Sequence, residues 1–165
     1  MLSLERGSGA EWPALSRRSR RRAPVSVRLM IVERRQLVRD ALRIAIDSTA
    51  GLDLVAETGD PSDAAVCAAV REPDVVLLDV DWPSLAGMAA IPSIRVVAPQ
   101  SLIVTYSSEP GFEGHGALEV AQAAIASGAD AHLNVSATLE EMITLALTAD
   151  ASSRPQPELQ NEMAR

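Results

Sequence analysis

Short runs of hydrophobic residues alternate along the chain with longer stretches in which apolar residues recur every three or four positions. The clearest run covers residues 75–78, lies between Pro73 and Pro83, and leads directly into Asp79. A short apolar run bounded by prolines is typical of a strand buried on both faces, as in a parallel sheet covered by helices. The pattern therefore predicts a central strand with Asp79 at its carboxyl end, where open α/β sheets place ligand sites.

Similar runs predict four further strands, at residues 27–32, 52–58, 102–105 and 131–135. The helical periodicity between and after them predicts five helices, which end near residues 48, 71, 97, 127 and 147. Asp60 and Pro61 form a start signal for the second helix, because aspartate caps helices and proline fits the first helical position. Pro92 is compatible with the third helix only as an early position. Five strands alternating with five helices predict one doubly wound α/β domain with a five-stranded parallel sheet.

The two ends of the chain lack any apolar period, and we expect both to be disordered. Residues 1–24 carry a net charge of +4 from six arginines and two glutamates, whereas the remainder of the chain carries −11. The predicted organisation is a basic arm (1–24), one domain (25–149) and a polar tail (150–165). The arm is either a solvated extension, or a segment upstream of the true start, or a basic element for nucleic acid or anionic membrane. It lacks interleaved aromatic residues for base stacking, which favours the first two interpretations.

Composition excludes several kinds of chemistry. All 15 basic residues are arginine, so a Schiff-base lysine and a P-loop lysine are excluded. The single cysteine, Cys67, excludes a disulfide framework and fits a reducing, cytoplasmic compartment. No G-x-S-x-G motif is present, and His115 and His132 lack companion ligands for a metal. We therefore expect no catalytic residues and no enzyme activity, and no window approaches a membrane span.

The predicted domain resembles the receiver domain of response regulators, and it is most similar to the LuxR/NarL type. The resemblance covers about residues 26–148 and is carried by residues 31–39, the block 73–83, Gly87, Thr105 and residues 128–129. It implies a flavodoxin-like sheet of order 2-1-3-4-5 and a role in two-component (phosphorelay) signalling. It also implies that a histidine kinase phosphorylates Asp79 and that the Thr105 hydroxyl hydrogen-bonds the phosphoryl group.

The same resemblance implies a Mg²⁺ site built from acids after the first strand, the acceptor aspartate and the carbonyl of Asp81. Glu33 stands at the first acid position and, with Asp79, would be a weak metal ligand. Arg34 replaces the second acid, although a guanidinium offers no oxygen to Mg²⁺. Val135 occupies the position of the family's lysine, and His132 occupies that of its switch aromatic residue.

Two interpretations follow from these departures. In the first, which we favour, Arg34 neutralises Glu33 or Asp79, takes the place of metal and lysine, and holds a constitutive conformation without phosphate. In the second, Asp81 or Glu33 supports weak Mg²⁺ binding and Asp79 is still phosphorylated. Arg34 pointing into solvent is a third arrangement for a loop arginine.

The resemblance also implies how the protein meets its partners. The fourth helix, fifth strand and fifth helix are the family's usual surface for a protein partner or a homodimer. The residues after Asp150 are too few for a helix-turn-helix domain. We therefore expect any transcriptional output to depend on a partner, unless the sequence is a fragment.

Overall fold

The computed structural model describes residues 26–80, 86–107, 115–133, 141, 144–145 and 148. The predicted basic arm and polar tail lie outside these residues, and so does most of the predicted fifth helix. Asp81 and Val135 are also outside the described part of the chain. The predictions made for these segments therefore stay predictions.

The described strands form one parallel sheet, which confirms the predicted fold class. They are β1 (Val27–Val32), β2 (Leu52–Thr58), β3 (Val75–Asp79), β4 (Leu102–Tyr106) and β5 (Ala131–Leu133). Their order across the sheet is β2-β1-β3-β4-β5. Every residue of β3 is buried, as expected for a continuous apolar run at the centre of a parallel sheet.

Four α-helices connect these strands in the described part of the chain: α1 (Gln36–Asp47), α2 (Ala64–Arg71), α3 (Ala86–Val97) and α4 (His115–Ala126). Asp60 is a cap as predicted, because its Oδ1 accepts a hydrogen bond of 2.9 Å from the backbone N–H of Ser62. The first turn after it, Pro61–Asp63, is a 3₁₀ turn rather than α-helix. No helix among these residues is long and apolar enough to cross a membrane.

The prediction that Pro92 stands early in its helix is wrong. α3 contains Pro92 as its seventh residue. A proline there removes the N–H that would bond the carbonyl of Met88. Pro92 is exposed, whereas Ala90, Ile91 and Ile94 are buried. Packing of Ala90, Ile91 and Ile94 against the core stabilises the helix although this hydrogen bond is missing.

The sheet separates two hydrophobic cores, and this separation fixes which side chains share a face. The core beneath α2, α3 and α4 contains Met30, Val76, Leu78, Ile91, Ile94, Ile103, Val120 and Ala124. The core beneath α1 contains Leu29, Ile31, Leu42, Ile46, Val75, Leu77, Val104 and Tyr106. Because side chains alternate along a strand, Asp79 belongs to the face of Val75 and Leu77, on the α1 side of the sheet.

Candidate functional site

The candidate site lies at the carboxyl edge of the sheet, around Asp79. Asp79 is the last residue of β3, and its side chain is almost buried, with 7% of the residue exposed. Glu33 follows β1, the strand beside β3, and Tyr106 of β4 is the register partner of Asp79. The parallel strands thus bring Glu33, Asp79 and Tyr106 to one edge, as the alternation of strands and helices predicts for an open α/β sheet.

Glu33 is fully buried, and hydrogen bonds occupy both oxygens of its carboxylate. Oε1 accepts from the backbone N–H of Arg35 at 2.7 Å and from Arg35 Nε at 3.1 Å. Oε2 accepts from Arg35 Nη2 at 3.1 Å and from the Tyr106 hydroxyl at 2.9 Å. We refer to Glu33, Arg35 and Tyr106 as the Glu33 cluster. A buried carboxylate is tolerated only when it is paired and hydrogen-bonded, and the cluster meets both conditions.

Arg35, not Arg34, supplies the cation beside Glu33, and this corrects the arrangement favoured from the sequence. The Arg34 side chain is exposed, and its backbone carbonyl accepts a hydrogen bond of 3.1 Å from Arg39 Nη1. After β1 the chain turns so that the N–H of Arg35 returns to the Glu33 carboxylate. That turn places the guanidinium of Arg35, which is two residues after Glu33, against the Glu33 carboxylate, while Arg34 faces outward.

Tyr106 links the Glu33 cluster to Asp79 electrostatically. Burial, the charges of Glu33 and Asp79, and the hydrogen bond to Glu33 together raise the pKa of the Tyr106 hydroxyl well above its usual value, while Arg35 opposes the shift. The phenol therefore remains a protonated donor at neutral pH. Because Tyr106 is the register partner of Asp79 and donates a hydrogen bond to Glu33, Asp79 and the Glu33 cluster belong to one site. Sequence reasoning missed Tyr106, although its place next to Thr105 in the strand puts it on the opposite face.

Thr105 lies on the face of the sheet away from Asp79. Its register partner is Leu78, whereas the partner of Asp79 is Tyr106. The buried Thr105 hydroxyl donates to the carbonyl of Ala131 at 3.1 Å and lies 3.0 Å from His132 Nδ1. The family resemblance implies that the Thr105 hydroxyl contacts a phosphoryl group. In the structure this hydroxyl is instead hydrogen-bonded to residues of β5.

Ser107, two residues beyond Thr105, has a buried hydroxyl at the carboxyl end of β4. Among the described residues, its Oγ has no hydrogen-bond partner. No sequence pattern singled out Ser107. By the same alternation that separates Thr105 from Asp79, Ser107 belongs to the Thr105 face of the sheet.

Replacing Tyr106 with phenylalanine should destabilise the protein by about 1–3 kcal/mol, because it removes a donor to a buried charged acceptor. Replacing Ser107 with alanine is the matched control, since it removes a buried hydroxyl that lacks a described partner. We expect the control to change the free energy of unfolding by less than about 0.5 kcal/mol. Urea denaturation of both variants checks this, and equal losses would contradict the role of the Tyr106 hydroxyl.

His132 is held neutral by its surroundings. Because the Thr105 hydroxyl donates its proton to Ala131, it accepts one from His132, which places the ring proton on Nδ1. Burial of the ring lowers the pKa of His132 below its ordinary value of 6.5. His132, at the predicted switch position, thus has an uncharged side chain that is hydrogen-bonded to Thr105 of β4.

The lowered pKa of His132 predicts a pH-dependent stability. Below pH 6.5 the unfolded chain binds a proton at His132 that the folded chain resists, so this residue lowers stability as the pH falls through that value. Replacing His132 with glutamine should remove this part of the pH dependence. Urea denaturation of both proteins between about pH 5 and pH 8 measures it. Parallel curves for the two proteins would show that His132 contributes nothing.

The described residues do not fit a Mg²⁺ site. Mg²⁺ requires octahedral oxygen ligands, but both Glu33 oxygens already accept hydrogen bonds from the Glu33 cluster. Arg34 contributes no side-chain oxygen. Across the described ranges, no group of three or more histidine, cysteine, aspartate or glutamate residues lies close enough to hold a metal ion.

Comparison with known proteins identifies relatives of the whole described fold. The response regulator receiver domain family matches residues 29–146. The receiver domain of the putative response regulator NarL from Mycobacterium tuberculosis is 23% identical with a TM-score of 0.66, and the match covers 79% of this chain and 100% of that one. A LuxR-family response regulator from Aurantimonas sp. SI85-9A1 is 25% identical with a TM-score of 0.61, over 72% of this chain and 81% of that one.

Two curated proteins match about half of the chain. A protein-glutamate methylesterase/protein-glutamine glutaminase from Azospirillum brasilense is 33% identical over 82 residues, which are 50% of this chain and 21% of that protein. The uncharacterized transcriptional regulatory protein YxjL from Bacillus subtilis (strain 168) is 32% identical over 92 residues, which are 53% of this chain and 42% of that protein. The chain thus spans less than half the length of either relative.

Proposed function

Since the chain belongs to the family of response regulator receiver domains, we propose that it is a two-component signalling switch that acts through protein contacts without a phosphoryl group on Asp79. The observation that carries this proposal is the closed Glu33 cluster. Arg35 and Tyr106 satisfy the buried carboxylate that the family resemblance assigns to metal binding. Arg35 of the chain itself then provides the positive charge that is needed beside Glu33.

The Glu33 cluster supports a fixed conformation. The carboxylate joins the loop after β1, through Arg35, to the end of β4, through Tyr106. Arg39 adds a hydrogen bond of 2.7 Å from Nη1 to the Glu33 carbonyl. Opening the site to a metal would leave buried groups without partners, which costs more than the hydrogen bonds alone. We propose that the resting protein therefore remains in one signalling state.

Conventional phosphorylation of Asp79 by a histidine kinase is the alternative. The observation that favours it is an almost buried Asp79 at the end of β3, where the family resemblance places the phosphate acceptor.

We place the contacts with a signalling partner on α4 and β5, together with the predicted fifth helix. α4 exposes Leu118 and Ile125, and His132 borders the same open surface. The proposal assigns no catalytic residue to the chain and locates it in the cytoplasm. A histidine kinase is a partner only in the phosphorylation-dependent alternative.

Exposure to a small phosphodonor tests the proposal. The protein is incubated with acetyl phosphate and Mg²⁺, and its intact mass is compared with that of the Asp79→Asn variant. We expect no stable phosphoryl adduct on either protein. An adduct on the unmodified protein that Asp79→Asn abolishes would overturn the proposal and support the alternative. A conventional receiver labelled in parallel verifies that the donor is active.

A further inference from the structure

The outer face formed by α2 and α3 is apolar although it is exposed. Val66 and Val70 of α2 are 67% and 71% exposed, and Val96 of α3 is 80% exposed. Val66 and Val70 are one helical turn apart and form a ridge along α2. β-Branched apolar side chains at such exposure favour contact with another surface over contact with water.

The helices α2 and α3, which form this face, contain few charged residues. α2 and α3 contain no acidic residue, although the chain has 22 acids and a net charge of −7. Their basic residues are Arg71, at the end of α2, and Arg95, whose guanidinium bonds Asp130 at 2.6 Å and the carbonyl of Gly128 at 2.8 Å. By contrast, α1 contains Asp40 and Asp47, and α4 contains Glu119.

A groove of about 280 Å³ lies where the 3₁₀ turn and the start of α2 meet α3. Small side chains line it, namely those of Ala65, Ala86, Ala89, Ala90 and Ser93. Asp60, Pro61 and Ser62 complete the lining, so the groove has one acidic residue, and that residue caps the 3₁₀ turn. Ridges of one helix pair pack into grooves of another, and this face presents both.

We propose that the α2–α3 face binds a second copy of this chain in a symmetric dimer. In a two-fold dimer the same patch meets itself, so a charge near the two-fold axis lies opposite its own copy. For a chain of net charge −7, a face whose two helices contain no acidic residue is where two copies meet with the least repulsion. The valine ridge of each copy then lies over the small-residue groove of the other. This surface is separate from α4 and β5, and the inference does not depend on the phosphorylation state of Asp79.

Sedimentation of the full chain over a range of concentrations tests the proposal. We expect a reversible dimer whose dissociation constant rises at least about tenfold in Val66→Glu and in Val96→Glu, because symmetry places two carboxylates in the interface. The matched controls are Leu37→Glu and Ile44→Glu on α1, which also replace exposed apolar residues. Both controls should dimerise as the unmodified protein does. Thermal unfolding of each variant confirms that it is folded.

Either of two results would overturn the proposal. One is an unmodified protein that stays monomeric up to about 1 mM. The other is a dimer that both Val66→Glu and Val96→Glu leave intact. The use of one variant on each helix means that misfolding of a single variant does not obscure the result.

Discussion

Replacing Arg35 with alanine should destabilise the protein by about 3 kcal/mol, because it leaves Glu33 buried without its cation. The guanidinium provides two of the hydrogen bonds to a carboxylate whose residue is 0% exposed. Tyr106 would remain as a donor, but one neutral hydroxyl does not neutralise a buried charge. Urea denaturation at neutral pH measures the loss.

Arg34→Ala is the matched control for this prediction. Arg34 precedes Arg35 directly, has the same charge, and exposes its side chain. Its replacement should alter the free energy of unfolding by no more than about 0.5 kcal/mol. If Arg34→Ala proved the more damaging of the two, the ion pair would belong to Arg34 as the sequence first indicated.

Replacing Gly87 with alanine should cost about 3 kcal/mol or more. A Cβ atom at Gly87 would lie 1.9 Å from the carbonyl oxygen of Asp79 and 3.0 Å from its carbonyl carbon. These are backbone atoms at the end of β3, so α3 must move away from the sheet, and overpacking of this kind destabilises. Helix propensity alone predicts that the variant is more stable, since alanine is favoured over glycine inside a helix by about 1 kcal/mol.

Gly59→Ala provides the control for Gly87. Its added Cβ would meet Arg39 Nη1 at 2.8 Å, and that contact is with the end of a flexible side chain. We expect a loss below about 1 kcal/mol, measured by thermal or urea unfolding. A Gly87 variant as stable as the Gly59 variant would show that α3 does not need its close approach to Asp79.

The strands were predictable because their signal is local. An apolar run between prolines fixes β3 and places Asp79 at its end, and the pattern of alternating elements predicts the parallel sheet. Pro92 shows the limit of such reasoning. A local rule excludes proline from a helix interior, whereas the burial of Ile91 and Ile94 keeps the helix intact around it.

The partners within the site were not predictable, because they depend on backbone direction and strand register. Whether Arg34 or Arg35 faces Glu33 is decided by the turn after β1, and no hydrophobic pattern describes that turn. Whether Thr105 or Tyr106 shares a face with Asp79 is decided by the pairing of β3 with β4. A shift of one residue in that register exchanges the two faces.

The central claim is that Arg35 and Tyr106 occupy the carboxylate on which a Mg²⁺ site at Asp79 would depend. Titration of the ¹⁵N-labelled protein with millimolar Mg²⁺, followed by the backbone amide signals of Glu33, Asp79 and Val80, tests it most directly. The account predicts that these signals do not move, and that signals at the surface respond only weakly and without saturation. A saturable shift of these three amides in the unmodified protein would contradict it.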